Sequence, residues 1–335
     1  SLAVSGLRGV GVESGGPAPS PESAERAAPQ KAEPIRVEPD ARLGELIDAA
    51  LEGCLSHLLA NRQAARSIED PEGVHQLRVA VRRSRSALGL FRASLAREPT
   101  RVLRRELRWL GRALSPARDQ DVFCVETLPG VRAALPEAPG LARLCWEAEL
   151  RRLAAHDIAR EALDAERLEY LVLRFDRYVR GGEWRLDLAP KKTRRLARPA
   201  RRAAARLLDE RFGEVRLLER PFSQLSADEL HALRIRVKRL RYATDFLAPL
   251  YSGRAVRRFA KRLRVLQDSL GRINDGRVAD ALVDDLLAHV EPATRARIER
   301  AAGVVSGWSH AHAVRERATV EKTWRRVAGA TPWWR

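Results

Sequence analysis

The residues of this chain best suited to chemistry lie in two matching segments, His75-Gln-Leu-Arg78-Val-Ala-Val-Arg82-Arg83-Ser-Arg85 and His231-Ala-Leu-Arg234-Ile-Arg-Val-Lys238-Arg239-Leu-Arg241. Arginine offers a planar fork of N–H donors that matches phosphate oxygens in pairs, lysine a compact charge, and histidine a single directed donor. On a helix, His75, Arg78, Arg82 and Arg85 fall within an arc of roughly 80°, a stripe that climbs about 15 Å and could follow an extended anion. His231, Arg234, Lys238 and Arg241 repeat it. No acidic residue stands between His75 and Leu95, whereas an ordinary solvated helix face mixes both signs. Neither histidine has an Asp or Glu one turn further along its helix to orient the imidazole. Donation to a phosphate oxygen is therefore expected of both, ahead of metal ligation or general-base work. His57, His156, His289, His310 and His312 stand in no such stripe and are read as structural.

The elements that must hold these stripes are helices. From Leu43 onward apolar residues recur at three- and four-residue steps, and alternating β-branched runs are missing, so the fold class is all-α. Leu77, Val81 and Leu88, like Leu233, Val237 and Leu240, lie on the arc beside each stripe and are expected in the core. Breaks are expected at Asp70-Pro71, Glu98-Pro99, Ser115-Pro116, residues 129 to 140, Gly181-Gly182, residues 219 to 226, Ser252-Gly253, Gly271 and Glu291-Pro292, separating eight to ten helices. Carried on without a gap, the register linking His75 to His231 aligns Arg105 with Lys261, Arg108 with Arg264, Leu110 with Leu266, Leu114 with Leu270 and Asp119 with Asp275. Shared helical composition does not produce such a match, and it predicts two homologous halves related by an internal pseudo-twofold. Arg101, Arg105, Arg108 and Arg112 form a further stripe, matched by Arg257, Lys261 and Arg264, with Asp268 where a counterpart of Arg112 would stand. The carboxylates of Asp119, Asp121 and Asp275 are read as helix caps.

Composition sets the partner class. The 335 residues carry a formal charge of +18, and all but six of the 62 basic residues are arginine. A polyanionic partner is the default expectation for such a chain. Cys54, Cys124 and Cys145 are odd in number and have no CxxC pairing, which argues against a disulfide framework or a zinc site and for a reducing, cytoplasmic setting. Neither a signal peptide nor a membrane-spanning stretch is found, so no membrane partner is expected. Residues 1–40, rich in Gly, Pro, Ser and Glu, read as a flexible linker or processed segment, and the start without Met as a processed end or the stub of a longer chain. Signatures of nucleotide, zinc and serine chemistry are absent, no cofactor is expected, and the chain is read as non-enzymatic.

The segments VHQLRVAVRRSRSALGLFR (74–92) and LHALRIRVKRLRYATDFLAPLY (230–251), with LRWLGRALSPARDQDV and LRVLQDSLGRINDGRV after them, resemble the signature helices of the CHAD family, the conserved histidine α-helical domain. The resemblance spans residues 41–335, with halves at about 41–185 and 190–335. It implies a pair of four-helix bundles around a central basic cavity that binds inorganic polyphosphate, with association to polyphosphate granules. Carried over residue by residue, the binding set is His75, Arg78, Arg82, Arg83, Arg85, His231, Arg234, Lys238, Arg239 and Arg241, with Arg105, Arg108, Lys261 and Arg264 added. Family members are often joined to an upstream CYTH triphosphatase domain, whose ExExK-type segment this chain lacks. Two rival readings remain. A nucleic-acid binder shares the electrostatics, but aromatic residues are only 5% of the chain and none interleaves the stripes for base stacking. A polyphosphate or phosphoester hydrolase lacks the carboxylate cluster that would hold a metal.

Overall fold

A computed structural model of the chain describes residues 28–218, 220–251 and 253–335. Its helices are α1 (Leu43–Asn61), α2 (Pro71–Leu90), α3 (Arg97–Ala113), α4 (Ser115–Asp121), α5 (Leu128–Ala134), α6 (Leu141–Asp164), α7 (Glu166–Val179), α8 (Pro190–Leu196), α9 (Ala200–Arg216), α10 (Ala227–Leu247), α11 (Arg254–His289) and α12 (Pro292–Ala328), with no strand among the described residues. The all-α expectation holds. Proline, placed where first-turn N–H groups need no partner, opens α2, α4, α5, α8 and α12. Asp70 caps α2 by accepting from Glu72 N at 2.9 Å. Ser226 and Glu229 form a reciprocal capping box at the start of α10.

Helices α1, α2, α3 and α7 pack in a closed ring, and α9, α10, α11 and α12 close a second in the same chain order. The rings meet where α2 lies on α10 and α1 on α9. One apolar core runs through both, and Leu77, Val81, Leu88, Leu233, Val237 and Leu240 all belong to it, as their helical arcs required. Phe91 and Phe246 meet at the seam with ring centroids 6.3 Å apart. The starts of α1 and α9 are tied by Leu43 N to Arg198 O at 2.9 Å and Ala200 N to Ala41 O at 2.8 Å. A smaller core joins α5 and α6 of the first half to α11 and α12 of the second, so the halves are not separate bodies. Trp333 and Trp334 pack around Phe259, and Trp334 donates to Asp209 at 2.9 Å, closing the second ring.

The structure departs from the sequence reading in several places, and α5, Leu128–Ala134, occupies part of the break expected at residues 129 to 140. The break expected at Gly271 is absent, because α11 runs through it; the first half has Pro116, which lacks an N–H donor, where the second half has Arg272. A π-helical turn, Val122–Thr127, links α4 to α5, while α11 is unbroken over the corresponding stretch. Residues 28–40 are not a free linker. Ile35 lies in the core, the Gln30 backbone pairs with the Asn61 side chain, and the Glu33 carbonyl accepts from Arg83. An extended chain leaves its backbone groups unpaired, and here the side chains of α1 and α2 supply partners. The part of the linker reading that falls on residues 1–27 lies outside the described residues.

Two glycines test this packing in opposite directions. At Gly73, in the first turn of α2, an added Cβ would stand 2.2 Å from the Ala64 carbonyl oxygen, whereas at Gly271 no atom lies within 4 Å. Gly73→Ala is expected to lower stability by about 1–3 kcal/mol and Gly271→Ala to raise it by about 1 kcal/mol, as read by denaturant unfolding.

Candidate polyanion-binding site

At the seam, α2 presents His75, Arg78 and Arg82, and α10 presents Arg234 and Lys238. These side chains feel one another: Arg82, Arg234 and Arg78 all act on Lys238. Burial, followed by the positive charge of Arg82 and Arg234, pulls the Lys238 amine down to about 7. Burial also pulls Arg78 and Arg234 below the ordinary arginine range, partly offset by Asp119 and Asp275 respectively. His75 drops to about 4, through burial first and then Arg118, so its imidazole is neutral at physiological pH and has one N–H to donate.

The acids here hold the site rather than capping helices. Arg78 Nη1 donates to Asp119 Oδ1 and to the Ser115 carbonyl, both at 3.2 Å. Arg118 Nη2 donates to Glu126 Oε1 at 3.0 Å. Asp275 of α11 faces Arg234, Lys238 and Arg118, but burial dominates and makes its carboxyl harder to ionise. Asp121 is fully buried and accepts from Arg152 Nε and His156 Nε2, each at 2.8 Å, which pins α4 to α6 and fixes the helix that carries Arg118 and Asp119. His156 is thus structural, and so is His57, whose Nε2 lies 3.1 Å from Gln30 O and 3.3 Å from Gln76 Oε1. Tyr242 receives Arg82 Nε at 3.0 Å across the seam.

The expected residues are therefore only partly brought together. His75, Arg78, Arg82, Arg234 and Lys238 form the half-buried centre. Arg85 and Arg108 continue from it in a second cluster with Arg104 and Arg112. His231 is exposed at the rim, its Nδ1 3.1 Å from Asn274 Oδ1. Arg241 stacks over the Tyr242 ring and, with Arg264, faces Asp245. Arg83 is only 4% exposed; it lies over the Phe246 ring and donates to the Gly53 and Glu33 carbonyls, so it braces the core instead of lining a surface. Arg105 pairs with Glu106, whose other oxygen takes Arg167 of α7, and so faces away from the seam. Lys261 lines a separate groove of about 270 Å³ between α11 and α12, and Arg239 is exposed.

Sequence reasoning missed Arg118, Arg104, Tyr242 and the pairing roles of Asp119 and Asp275. The aligned register held one signal for them: it sets Arg118 opposite Asn274 and Asp119 opposite Asp275. It also overlooked Glu72, one turn before His75, which acts on that imidazole while accepting from Gln76 at 2.6 Å.

A family model described as the CHAD domain matches residues 49–284. The crystal structure of the CHAD domain from the plant Ricinus communis is similar over 91% of this chain and 98% of its own, with a TM-score of 0.74 and 30% identity. PptA from Streptomyces chartreusis is similar in fold over 88% of this chain and 100% of its own, with a TM-score of 0.61 and 20% identity. No curated protein matches the chain.

The depressed Lys238 amine has a consequence for stability. The unfolded chain, with an ordinary lysine at 10.5, binds more protons than the folded one between about pH 7 and that value, so stability rises with pH across this window. Lys238→Met should raise unfolding stability by about 1–3 kcal/mol at pH 7. In calorimetric unfolding over a pH series, the gain should shrink steadily as pH rises toward 10.5.

Proposed function

Because the chain belongs to the CHAD domain family, which is associated with polyphosphate binding, we propose that it binds inorganic polyphosphate at the seam between α2 and α10 and does not turn it over. The observation that carries this reading is the convergence of Arg78, Arg82, Arg118, Arg234 and Lys238 in a half-buried position, answered only in part by Asp119, Glu126 and Asp275. Like charges held out of solvent repel, and a chain of phosphate charges is the ligand class that reverses the sign of that term along its whole length. On α10, Arg234 Nε and Arg241 Nε are shielded from solvent without an acceptor among the described residues, which suits donation to anionic oxygens.

The chemistry that follows is binding coupled to protonation. In the free protein Lys238 is about half charged near pH 7, and a polyanion beside it raises its affinity for a proton. Neutral His75 serves as a hydrogen-bond donor and can take up a proton as the anion arrives. A base or nucleophile role is disfavoured, because His75 is surrounded by Arg118, Arg82 and Arg78, and the nearby Glu72 is engaged by Gln76. In a cell, this affinity would carry the chain to polyphosphate granules.

The test is a calorimetric titration of the purified chain with long-chain polyphosphate, and with single- and double-stranded DNA of matched charge, at physiological salt. Tight polyphosphate binding with far weaker DNA binding, and no phosphate released with magnesium or manganese present, is expected; equal affinity for all three would move the assignment to a general nucleic-acid surface. Arg82→Glu with Lys238→Glu should leave helicity intact and weaken polyphosphate binding at least about a hundredfold. Affinity should be fullest below pH 7 and fall by up to about tenfold per unit above it, where binding must supply the Lys238 proton. Lys238→Arg should flatten that profile.

A further inference from the structure

Away from the seam, a cavity of about 1030 Å³ opens between the end of α2, the outer face of α3, and α8 and α9. Its charge is lopsided. Arg101 is held by Glu98 and Arg211 by Glu210 and Glu214, but Arg92, Arg104, Arg108, Arg195 and Arg206 line it with no salt bridge among the described residues. Arg195 is half-buried, and burial together with Arg206 pulls it below the ordinary arginine range. Two arginines from consecutive but separate helices thus act on one another and share the cavity with Arg92, in the turn after α2, and with Arg104 and Arg108 of α3, an arrangement that repels itself.

The cavity is not isolated from the seam. Arg85 stands on α2 in line with His75, Arg78 and Arg82, and it acts electrostatically with Arg104 and Arg108, both of which line the cavity. Running from His75 to Arg85 covers roughly 15 Å of helix at 1.5 Å per residue, and from there the cationic surface continues over α3 into the cavity.

We propose that this cavity is a second subsite for an inorganic phosphate chain, with Arg85, Arg104 and Arg108 joining it to the seam and Arg195 and Arg206 holding the far end of the bound chain. The inference rests on the polyphosphate reading of the seam and extends it: a ligand too short to leave the seam does not reach Arg195 and Arg206, while a long chain engages both. Preference for long chains then comes from cavity contacts made by one continuous ligand, whose second segment binds at a high effective concentration.

The experiment compares the whole chain with Arg195→Ser/Arg206→Ser, with the single exposed variant Arg206→Ser, and with Arg82→Glu/Lys238→Glu. Binding of tripolyphosphate and of long-chain polyphosphate is measured by calorimetry over a salt series, with folding checked by circular dichroism. The double serine variant is expected to lose at least about tenfold in long-chain affinity, with a shallower salt dependence, and to keep its tripolyphosphate affinity; Arg206→Ser alone should show a smaller loss of the same kind. Unchanged long-chain affinity in folded Arg206→Ser and in the double serine variant would overturn the cavity subsite while leaving the seam intact. Full long-chain binding by Arg82→Glu/Lys238→Glu would instead overturn the seam reading on which the subsite depends.

Discussion

The structure depends on keeping like charges close together and partly out of water at the contact between α2 and α10. At an effective dielectric of about 20, two unit charges 4 Å apart interact by about 4 kcal/mol, and repulsion of this kind is sustained only where the framework cannot relax. That framework is the apolar core shared by the two helix rings, anchored at the seam by Leu77, Val81, Leu233 and Val237 directly beneath the charged stripes. Arg83 adds a second brace from within, tying α2 to the α1 carbonyl of Gly53 and to the segment around Glu33. The desolvation that depresses Lys238 and His75 is thus a product of the same packing that stabilises the fold.

The carboxylates in the basic site follow from that constraint. Asp119 orients Arg78, Glu126 holds Arg118, and Asp275 faces Arg234 and Lys238 from α11. They lower the repulsion among the cations and hold the Arg78 and Arg118 guanidinium groups in place.

The two halves share an order of packing but not their detail. Pro116 stands where α3 gives way to α4, and its aligned partner Arg272 lies within an unbroken α11. Arg118 stands by His75, whereas Asn274 at the aligned position bonds His231. One histidine is consequently half-buried among cations and the other exposed at the rim. The large cationic cavity lies on the first-half side of α9, where the end of α2 and the face of α3 meet α8.

Residue type and spacing alone determined that the chain is helical, where most of its helices begin, which arc of α2 and α10 enters the core, and that basic residues line up in stripes beside it. These are local properties: proline geometry, 3.6-residue periodicity and the pairing of arginine with phosphate act within one helix. Tertiary structure alone decided which cations face one another. Arg105 and Arg108 sit on the same helix, yet Arg105 turns to Glu106 and Arg167 while Arg108 joins Arg85. Arg83 looks like its neighbours in the stripe and is buried. The shift of Lys238, the use of Asp119 and Asp275 as counter-charges, and the cavity reaching from Arg92 to Arg211 all depend on segments distant in sequence. A charge carries no mark in the sequence of what will be packed opposite it, and it is that opposing surface, through desolvation and Coulomb repulsion, that turns a basic helix face into a site.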